Sequence, residues 1–208
     1  MQVLRVVNFG SLNVLRQLHL EEALFRASSS NWLVISRPPA GENAIVLGTP
    51  VFYAKMLLGL SGQVEKLVNA DSTKRDHVPL IRRFSGGGTV YVDENTRMIS
   101  FIINESALPG VRPYPRPIMR WTEQVYQDVF QNPDFALVDT DYCIGSRKFG
   151  GNAQSISRDR WLHHTSFLWD YDILKLSQYL KKPEKQPAYR EDRSHSDFLV
   201  KMKTRFSR

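Results

Sequence analysis

Three adjacent glycines beside two arginines form the segment of this chain that is best suited to binding chemistry. The segment reads RRFSGGGTVYVD over residues 82–93. Glycine permits positive φ angles and lets a ligand approach the main chain closely. The arginines supply fixed cations and Ser85 supplies a hydroxyl, so the segment suits a ligand that is anionic at one end and slender elsewhere. A β-bulge or a turn that binds nothing would carry the same glycines.

A second segment repeats this combination. Residues 145–155 read GSRKFGGNAQS, which again sets glycines beside cations, and a strand-like segment from Trp161 to Trp169 follows. If the two segments lie on two hairpins, they can face each other across one groove. The pair therefore favours a binding site over two independent turns.

The motifs RRFSGGGTVYVD, RKFGGNAQSI and WLHHTSFLWDYD, in this order, resemble the lipoate–protein ligase A family. That family shares its catalytic domain with biotin ligases and octanoyltransferases. The resemblance extends from Leu12 to about Phe198, and it is specific because several separated motifs agree in order. It implies a single biotin/lipoate ligase-type catalytic domain over residues 1–208, in which residues 182–208 form a basic loop and a short terminal helix. We expect no accessory domain of the kind found in bacterial single-chain ligases.

The resemblance implies an ATP-dependent ligase. Family members activate lipoate as lipoyl-adenylate, which a lysine of a lipoyl-carrier domain then attacks. Lys148 matches the family's catalytic lysine, and this chemistry needs a fixed cation where negative charge develops near the carboxyl oxygen and the α-phosphate. Asp141 matches an acid that helps to hold Mg²⁺ beside the phosphates, although Thr140 replaces the preceding asparagine. The expected ligands are therefore ATP, Mg²⁺ and lipoate.

The same motifs imply the substrate-binding residues. Arginine suits bidentate capture of a carboxylate or phosphate, and paired glycines let main-chain N–H groups approach an adenylate. Val92 stands where the family usually has histidine, which removes a polar group from the expected acyl pocket. The expected substrate-binding residues are Arg83, Ser85, Gly86, Gly87, Gly88, Gly150, Gly151, Asn152, Ala153, His164, Thr165 and Arg193.

Rival interpretations stay open at this stage. Octanoyltransferases need a cysteine nucleophile, and Cys143 is the one cysteine of this chain. Cys143 does not match their motifs, so we interpret it as a buried structural residue. His163 and His164 suggest zinc, yet neighbours on a strand point to opposite faces and no cysteine or histidine partner has suitable spacing. A noncatalytic acyl- or nucleotide-binding module that kept the fold is the remaining alternative.

Composition limits the partners and the compartment. The chain has 208 residues and a formal net charge of +7, which favours an anionic partner. The basic residues are scattered, which argues against a nucleic-acid arm, and no apolar run approaches the ~20 residues of a membrane helix. A single cysteine favours a reducing compartment. The resemblance implies a monomer that is cytoplasmic, mitochondrial or plastidic. It also implies a separate accessory protein and lipoyl-carrier acceptors, from 2-oxoacid dehydrogenase complexes or the glycine cleavage H protein.

Helices and antiparallel strands without βαβ alternation predict the α+β class, with mixed, largely antiparallel sheets flanked by helices. The spacing of apolar residues predicts a helix from Leu12 to Phe25 with Ser11 as its N-cap. Glu21 and Glu22 are predicted to be surface or cap groups. Residues 54–76 are predicted to form a helix and a surface loop. One antiparallel set is predicted from the strands at 78–84, 89–92 and 98–103.

Overall fold

Two β-sheets and the helices that pack on them form the described part of the chain. The computed structural model describes residues 3–48, 66–184 and 186–206. The strands are β1 Leu4–Asn8, β2 Asn31–Ser36, β3 Asn43–Leu47, β4 Leu80–Arg82, β5 Val90–Asp93, β6 Thr96–Asn104, β7 Phe135–Val138, β8 Asp141–Ile144, β9 Arg147–Ile156 and β10 Arg160–Leu168. The α-helices are α1 Val14–Ala27, α2 Ala70–Arg75, α3 Pro115–Phe130, α4 Ile173–Tyr179 and α5 His195–Phe198.

The larger sheet has seven strands in the order β1-β2-β6-β10-β9-β8-β7, and the smaller sheet has three in the order β4-β3-β5. Within the larger sheet, β1 and β2 are parallel and every other neighbouring pair is antiparallel. The nine-residue strands β6 and β10 pair along their whole length at its centre. The α+β class is confirmed.

One face of the larger sheet is filled by α3 and an aromatic core. Pro115 begins this helix, where a missing N–H costs no hydrogen bond, and Gln131 ends it in the left-handed conformation. Ile118 and Tyr126 of the helix pack with Trp161 and other buried side chains of the sheet. Among the described helices, none is both long and apolar enough to cross a membrane. This face therefore carries the main aromatic core of the protein.

The opposite face is covered by α1 and the smaller sheet. Val14 and Leu18 of α1 pack with Val46, Val92 and other buried apolar residues of β3, β5 and β6. The predicted helix is present, but its N-cap is Asn13, whose side chain accepts a hydrogen bond from the Arg16 N–H at 3.1 Å. The prediction of Ser11 as the cap is wrong because the helix begins two residues later.

The predicted single antiparallel set is divided between the two sheets. β4 and β5 both pair with β3, in parallel and antiparallel directions respectively, while β6 lies in the larger sheet. The strand predicted at 78–84 is reduced to Leu80–Arg82. Of the predicted helix and loop at 54–76, residues 54–65 lie outside the described residues, and α2 falls within the remainder.

The C-terminal segment folds back onto β9. It comprises a 3₁₀ turn at Ala188–Arg190, helix α5 and a second 3₁₀ turn at Met202–Thr204. The Val200 N–H donates to the Lys148 carbonyl oxygen at 2.9 Å, and Leu199 forms an isolated parallel bridge with Lys148. The segment therefore lies directly beside the predicted catalytic lysine.

Candidate active site

A cavity of about 1190 Å³ brings most of the predicted site residues together. Its lining comes from both sheets, from α1 and from the C-terminal segment. The predicted site residues that line it are Arg83, Gly86, Gly87, Gly88, Asp141, Lys148, Gly151, Asn152, Ala153 and His164. The predicted residues absent from this lining, within the described ranges, are Ser85, Gly150, Thr165 and Arg193.

The three glycines at 86–88, which we call the glycine loop, lie against β9. The Gly86 N–H donates to the Gln154 carbonyl oxygen at 3.1 Å. Gly87 has φ +121°, and a Cβ on it would lie 2.7 Å from Arg83 Nη2 and 3.5 Å from Ala153 Cβ. Only glycine fits there without strain. The two glycine-rich segments therefore do face each other.

The buried guanidinium of Arg83 holds the glycine loop in place. Its Nη2 donates to the Gly88 carbonyl oxygen at 2.7 Å and to that of Gly86 at 3.3 Å. Burial lowers the Arg83 pKa to about 10, which leaves the side chain protonated at neutral pH. Ser85 is also buried beside it. These contacts show Arg83 binding the loop backbone; its direct contact with a ligand anion stays a prediction.

Lys148 lies at the edge of the cavity and binds a carboxylate. Its Nζ is 2.7 Å from Asp141 Oδ1, and Asp141 Oδ2 accepts a hydrogen bond from the Tyr189 hydroxyl at 2.7 Å. A Cβ on Gly151 would lie 3.2 Å from Nζ, so the absence of a side chain there makes room for the amine. Glycine is needed at position 150 for a different reason, because a Cβ there would lie 2.7 Å from the Phe167 ring.

Asp141 does not form a ready Mg²⁺ site in this arrangement. One of its oxygens contacts the Lys148 amine and the other accepts from the Tyr189 hydroxyl. Mg²⁺ commonly uses one or two carboxylates together with substrate oxygens. The described residues contain no group of three or more histidine, cysteine, aspartate or glutamate side chains placed to hold a metal. Asp141 as a Mg²⁺ ligand therefore stays a prediction, and to bind the ion its carboxylate would have to exchange one of these two contacts.

The two histidines of β10 point to opposite faces, as the strand geometry predicts. His163 accepts or donates hydrogen bonds with the Tyr142 hydroxyl at 2.9 Å and the Gln154 amide at 3.0 Å. Burial, with the neighbouring His164, lowers the His163 pKa to about 3, so this ring is neutral. Thr165 shares its side of the strand and accepts from the Tyr126 hydroxyl at 3.0 Å. His164 alone of these three lines the cavity.

Glu21 is buried, so the prediction that it is a surface or cap group is wrong. Its side chain is 1% exposed and its carboxylate lies 2.9 Å from His164 Nδ1. Glu22, the next residue, faces the surface and pairs with Arg26. Helical spacing places Glu21 on the apolar side of α1 with Leu18, but the sequence does not show the partners that make its burial favourable, which are Gln17, Ser100 and His164.

The C-terminal segment supplies two cationic or titratable groups to the cavity. Arg190 is 5% exposed, and no described group forms a hydrogen bond with its buried Nη2. Burial, with Arg190 and Lys148 nearby, lowers the His195 pKa to about 4. Arg193 instead donates to the carbonyl oxygens of Ser146 and Tyr189. The resemblance predicts a binding role for Arg193, whereas the residues of this segment that line the cavity include Arg190 and His195.

Cys143 does not have the environment of a nucleophile. It is 0% exposed, and burial raises its pKa to about 11. Its Sγ donates a weak hydrogen bond to the Tyr189 hydroxyl at 3.5 Å. A thiol of this kind is almost wholly protonated at neutral pH, which favours the structural interpretation.

Four buried apolar side chains form one wall of the cavity, which we call the acyl arm. It is lined by Leu18, Val46, Val92 and Met98, which come from α1, β3, β5 and β6. Val92 is 1% exposed and packs within this group. The cavity thus joins an apolar arm to a cationic end, with the glycine loop in its wall.

Comparisons with known proteins show the family and the fold of this chain. Residues 13–203 match the model of the lipoyl protein ligase A/B catalytic domain, and the chain belongs to this family. The resemblance predicted from the motifs is confirmed. A family match defines a lipoate ligase-like catalytic domain, while the reaction catalysed by this chain is a separate question.

Individual relatives give the extent of the similarity. The inactive lipoate–protein ligase 2 of Plasmodium falciparum is 28% identical, over 97% of this chain and 64% of that protein. The probable lipoate-protein ligase A of Mycoplasma pneumoniae is 29% identical, over 75% of this chain and 45% of that protein. A solved chain from Thermoplasma acidophilum, in work on a bipartite lipoate protein ligase and its E2 lipoyl domain, is 20% identical with a TM-score of 0.72. It covers 100% of this chain and 76% of that chain, which shows the fold.

Proposed function

We propose that this chain is the catalytic domain of an ATP-dependent ligase that activates lipoate, or a related medium-chain acid, and transfers it to a lysine of a lipoyl-carrier domain. The observation that carries the proposal is the single cavity that joins the acyl arm, the glycine loop and Lys148. An acyl-adenylate has the matching sequence of parts: an apolar chain, a mixed anhydride and a nucleotide.

The acyl arm supports a slender apolar substrate. Its side chains come from the packed core between α1 and the smaller sheet, so its shape is fixed before a ligand enters. Val92 contributes apolar surface where the family usually has histidine. We therefore expect the arm to take the hydrocarbon chain of lipoate or octanoate. It should reject a chain that carries a second charge at the end distant from the carboxylate.

The cationic end supports activation of the carboxylate. In this step a carboxylate oxygen attacks the α-phosphorus of ATP, a new P–O bond forms, and pyrophosphate leaves with the electron pair of the broken bond. The Lys148 amine would stabilise the charge that develops on the α-phosphate and the carboxyl oxygen. To do so it must exchange its contact with Asp141 for one with the substrate, because Lys148 Nζ lies 2.7 Å from Asp141 Oδ1.

The positive charge of the chain supports an acidic protein acceptor. A net charge of +7 would speed encounter with an acidic lipoyl-carrier domain, of a 2-oxoacid dehydrogenase complex or of the glycine cleavage H protein. The Thermoplasma system is described as bipartite. That description supports the further proposal that a separate accessory protein assists activation, with this chain acting as a monomer in its own part.

A second candidate function is transfer of an acyl group from an adenylate made elsewhere. The relative from Plasmodium falciparum that aligns with 97% of this chain is named as inactive. A domain that keeps the cavity but activates poorly would accept a supplied lipoyl-adenylate. An ATP-independent transferase with Cys143 as nucleophile is less well supported, because that thiol is buried and its pKa is raised.

Intact-mass analysis of a recombinant lipoyl-carrier domain tests the proposal. The protein is incubated with the acceptor, lipoate or octanoate, ATP and Mg²⁺, and a parallel reaction receives synthetic lipoyl-adenylate instead of acid and ATP. Acylation in both reactions is the expected result. Acylation only from the adenylate would establish the second candidate. Acylation in neither would overturn both and leave a binding module.

A further inference from the structure

A buried carboxylate and a cavity-lining histidine form a pair that the activation step does not use. Glu21 accepts hydrogen bonds from the Gln17 amide and the Ser100 hydroxyl, each at 2.6 Å, and lies 2.9 Å from His164 Nδ1. The Gln17 amide oxygen in turn accepts from the Ser36 hydroxyl at 2.9 Å. These contacts hold a carboxylate in a fixed position inside the protein.

The charge of Glu21 fixes the orientation of the His164 ring. Burial raises the Glu21 pKa, but its contact with His164 and the hydrogen bonds from Ser100 and Gln17 lower it overall. The ionised carboxylate accepts the Nδ1–H of His164. The remaining ring nitrogen, Nε2, has no hydrogen-bond partner among the described side chains.

The register of the sheet places His164 beside the glycine loop. His164 on β10 is paired with Ala153 on β9, so the two side chains share the cavity face. Ala153 is the residue that Gly87 approaches, and Gly151, beside the Lys148 amine, lies two positions along the same strand. Residues two apart on a strand are separated by roughly 6.6 Å. The imidazole and the amine thus border neighbouring parts of one surface.

We propose that His164 is the general base of the transfer step and that Glu21 is its positioning residue; this rests on the proposed function. The neutral amine of the acceptor lysine attacks the carbonyl carbon of the acyl-adenylate, and a C–N bond forms. The C–O bond to the phosphate breaks and AMP leaves with its electron pair. The proton of the attacking nitrogen passes to Nε2, the Glu21 carboxylate stabilises the imidazolium, and water then removes the proton.

Two further charged or titratable groups interact with the pair. They are Arg83, whose positive charge interacts with Glu21, and His163, which is neutral beside His164. Arg83 donates to the glycine loop, and His163 lies on the opposite face of β10. Neither is therefore placed to accept the proton of the attacking amine.

The test separates the two half-reactions in the full chain. Transfer from synthetic lipoyl-adenylate to a carrier domain and pyrophosphate exchange into ATP are measured for the wild type, His164→Gln and Glu21→Gln. We expect His164→Gln to lower the kcat of transfer roughly 100-fold with KM unchanged. Pyrophosphate exchange should fall much less than transfer, and a wild-type Tm should show that the variant is folded.

Matched variants distinguish a positioning role from a structural one. Glu21→Gln should lower transfer in the same direction as His164→Gln, and Glu21→Asp should recover part of the rate. Glu22→Gln, on the adjacent surface position of α1, should behave as wild type. Unchanged transfer in His164→Gln, or an equal loss in both half-reactions, would overturn the proposal. A wild-type protein inactive in both assays would instead overturn the proposed function.

Discussion

At the scale of single residues, the cations Lys148 and Arg83 of the cavity have different hydrogen-bond partners. Lys148 is held by Asp141, which also accepts from Tyr189 of the C-terminal segment. One carboxylate thus connects the predicted catalytic amine to the segment that folds over β9. The Arg83 guanidinium, by contrast, donates hydrogen bonds to backbone carbonyl oxygens of the glycine loop.

Replacement of Lys148 should remove activation and leave the fold intact. Lys148→Ala deletes the cation at the α-phosphate, and loss of one such electrostatic contact lowers kcat by roughly 10²–10³-fold. Pyrophosphate exchange measures this rate. Arg147→Ala removes an exposed cation from the preceding position of β9 and is the matched control. Equal activity of the two variants would contradict the role assigned to Lys148.

Replacement of Arg190 should weaken nucleotide binding. Arg190 lines the cavity, its buried Nη2 has no hydrogen-bond partner among the described residues, and a charge-assisted hydrogen bond contributes about 1.5–3 kcal/mol. Arg190→Gln should therefore raise the KM for ATP by roughly 10- to 100-fold. Arg205→Gln, at an exposed position of the same segment, should leave it unchanged. An unaltered KM in Arg190→Gln would show that another cation binds the phosphates.

Acid should destabilise the protein through histidines that the fold keeps neutral. Burial, with Arg190 and Lys148, lowers the His195 pKa from 6.5 to about 4. Between these values the unfolded chain binds the extra proton, so stability falls as pH falls from about 6.5 to about 4. We expect Tm to decline over this range, and to decline less steeply in His195→Asn. Parallel curves for the two proteins would contradict this account.

At the scale of elements, the glycine loop owes its shape to backbone contacts on both sides. A Cβ on Gly48 would lie 2.0 Å from the Gly87 carbonyl oxygen, so the residue that follows β3 must also be glycine for the loop to pack against it. Arg83 joins the loop to β3 through the Val46 carbonyl oxygen at 3.4 Å. The loop is thus a fixed wall of the cavity before a ligand enters.

Alanine substitutions within the loop should have unequal effects. Gly87→Ala puts a Cβ 2.7 Å from Arg83 Nη2 at φ +121°, whereas nothing lies within 4 Å of a Cβ at Gly88. Backbone strain of this kind costs about 1–3 kcal/mol. Thermal unfolding should show a lower Tm for Gly87→Ala and a wild-type Tm for Gly88→Ala. The reverse order would mean that the loop adopts another conformation.

The sequence predicted local features of the fold and site more reliably than their partners. The glycine segments and β10 were predictable because each depends mainly on the conformational preferences of its own residues. The division of β4, β5 and β6 between two sheets was not, because pairing with β3 depends on distant residues. Glu21 was misjudged for the same reason: its partner, His164, is 143 residues away.

At the scale of the whole molecule, the positive charge should act on the acceptor protein. The net charge of +7 is spread over the surface, and interactions between exposed charges weaken as salt is added. We expect kcat/KM for a lipoyl-carrier domain to fall with ionic strength. The rate with a short, uncharged peptide around the acceptor lysine should change much less. Equal salt dependence for both acceptors would exclude electrostatic steering.

We propose that one cavity holds an acyl-adenylate between the glycine loop and Lys148. A crystal structure of the protein with a non-hydrolysable lipoyl-sulfamoyl adenosine would test this proposal. We expect the lipoyl chain to fill the acyl arm and the Lys148 amine to leave Asp141 and contact the sulfamoyl oxygens. An analogue bound outside this cavity, or a Lys148 amine still paired with Asp141 and distant from the bound analogue, would contradict it.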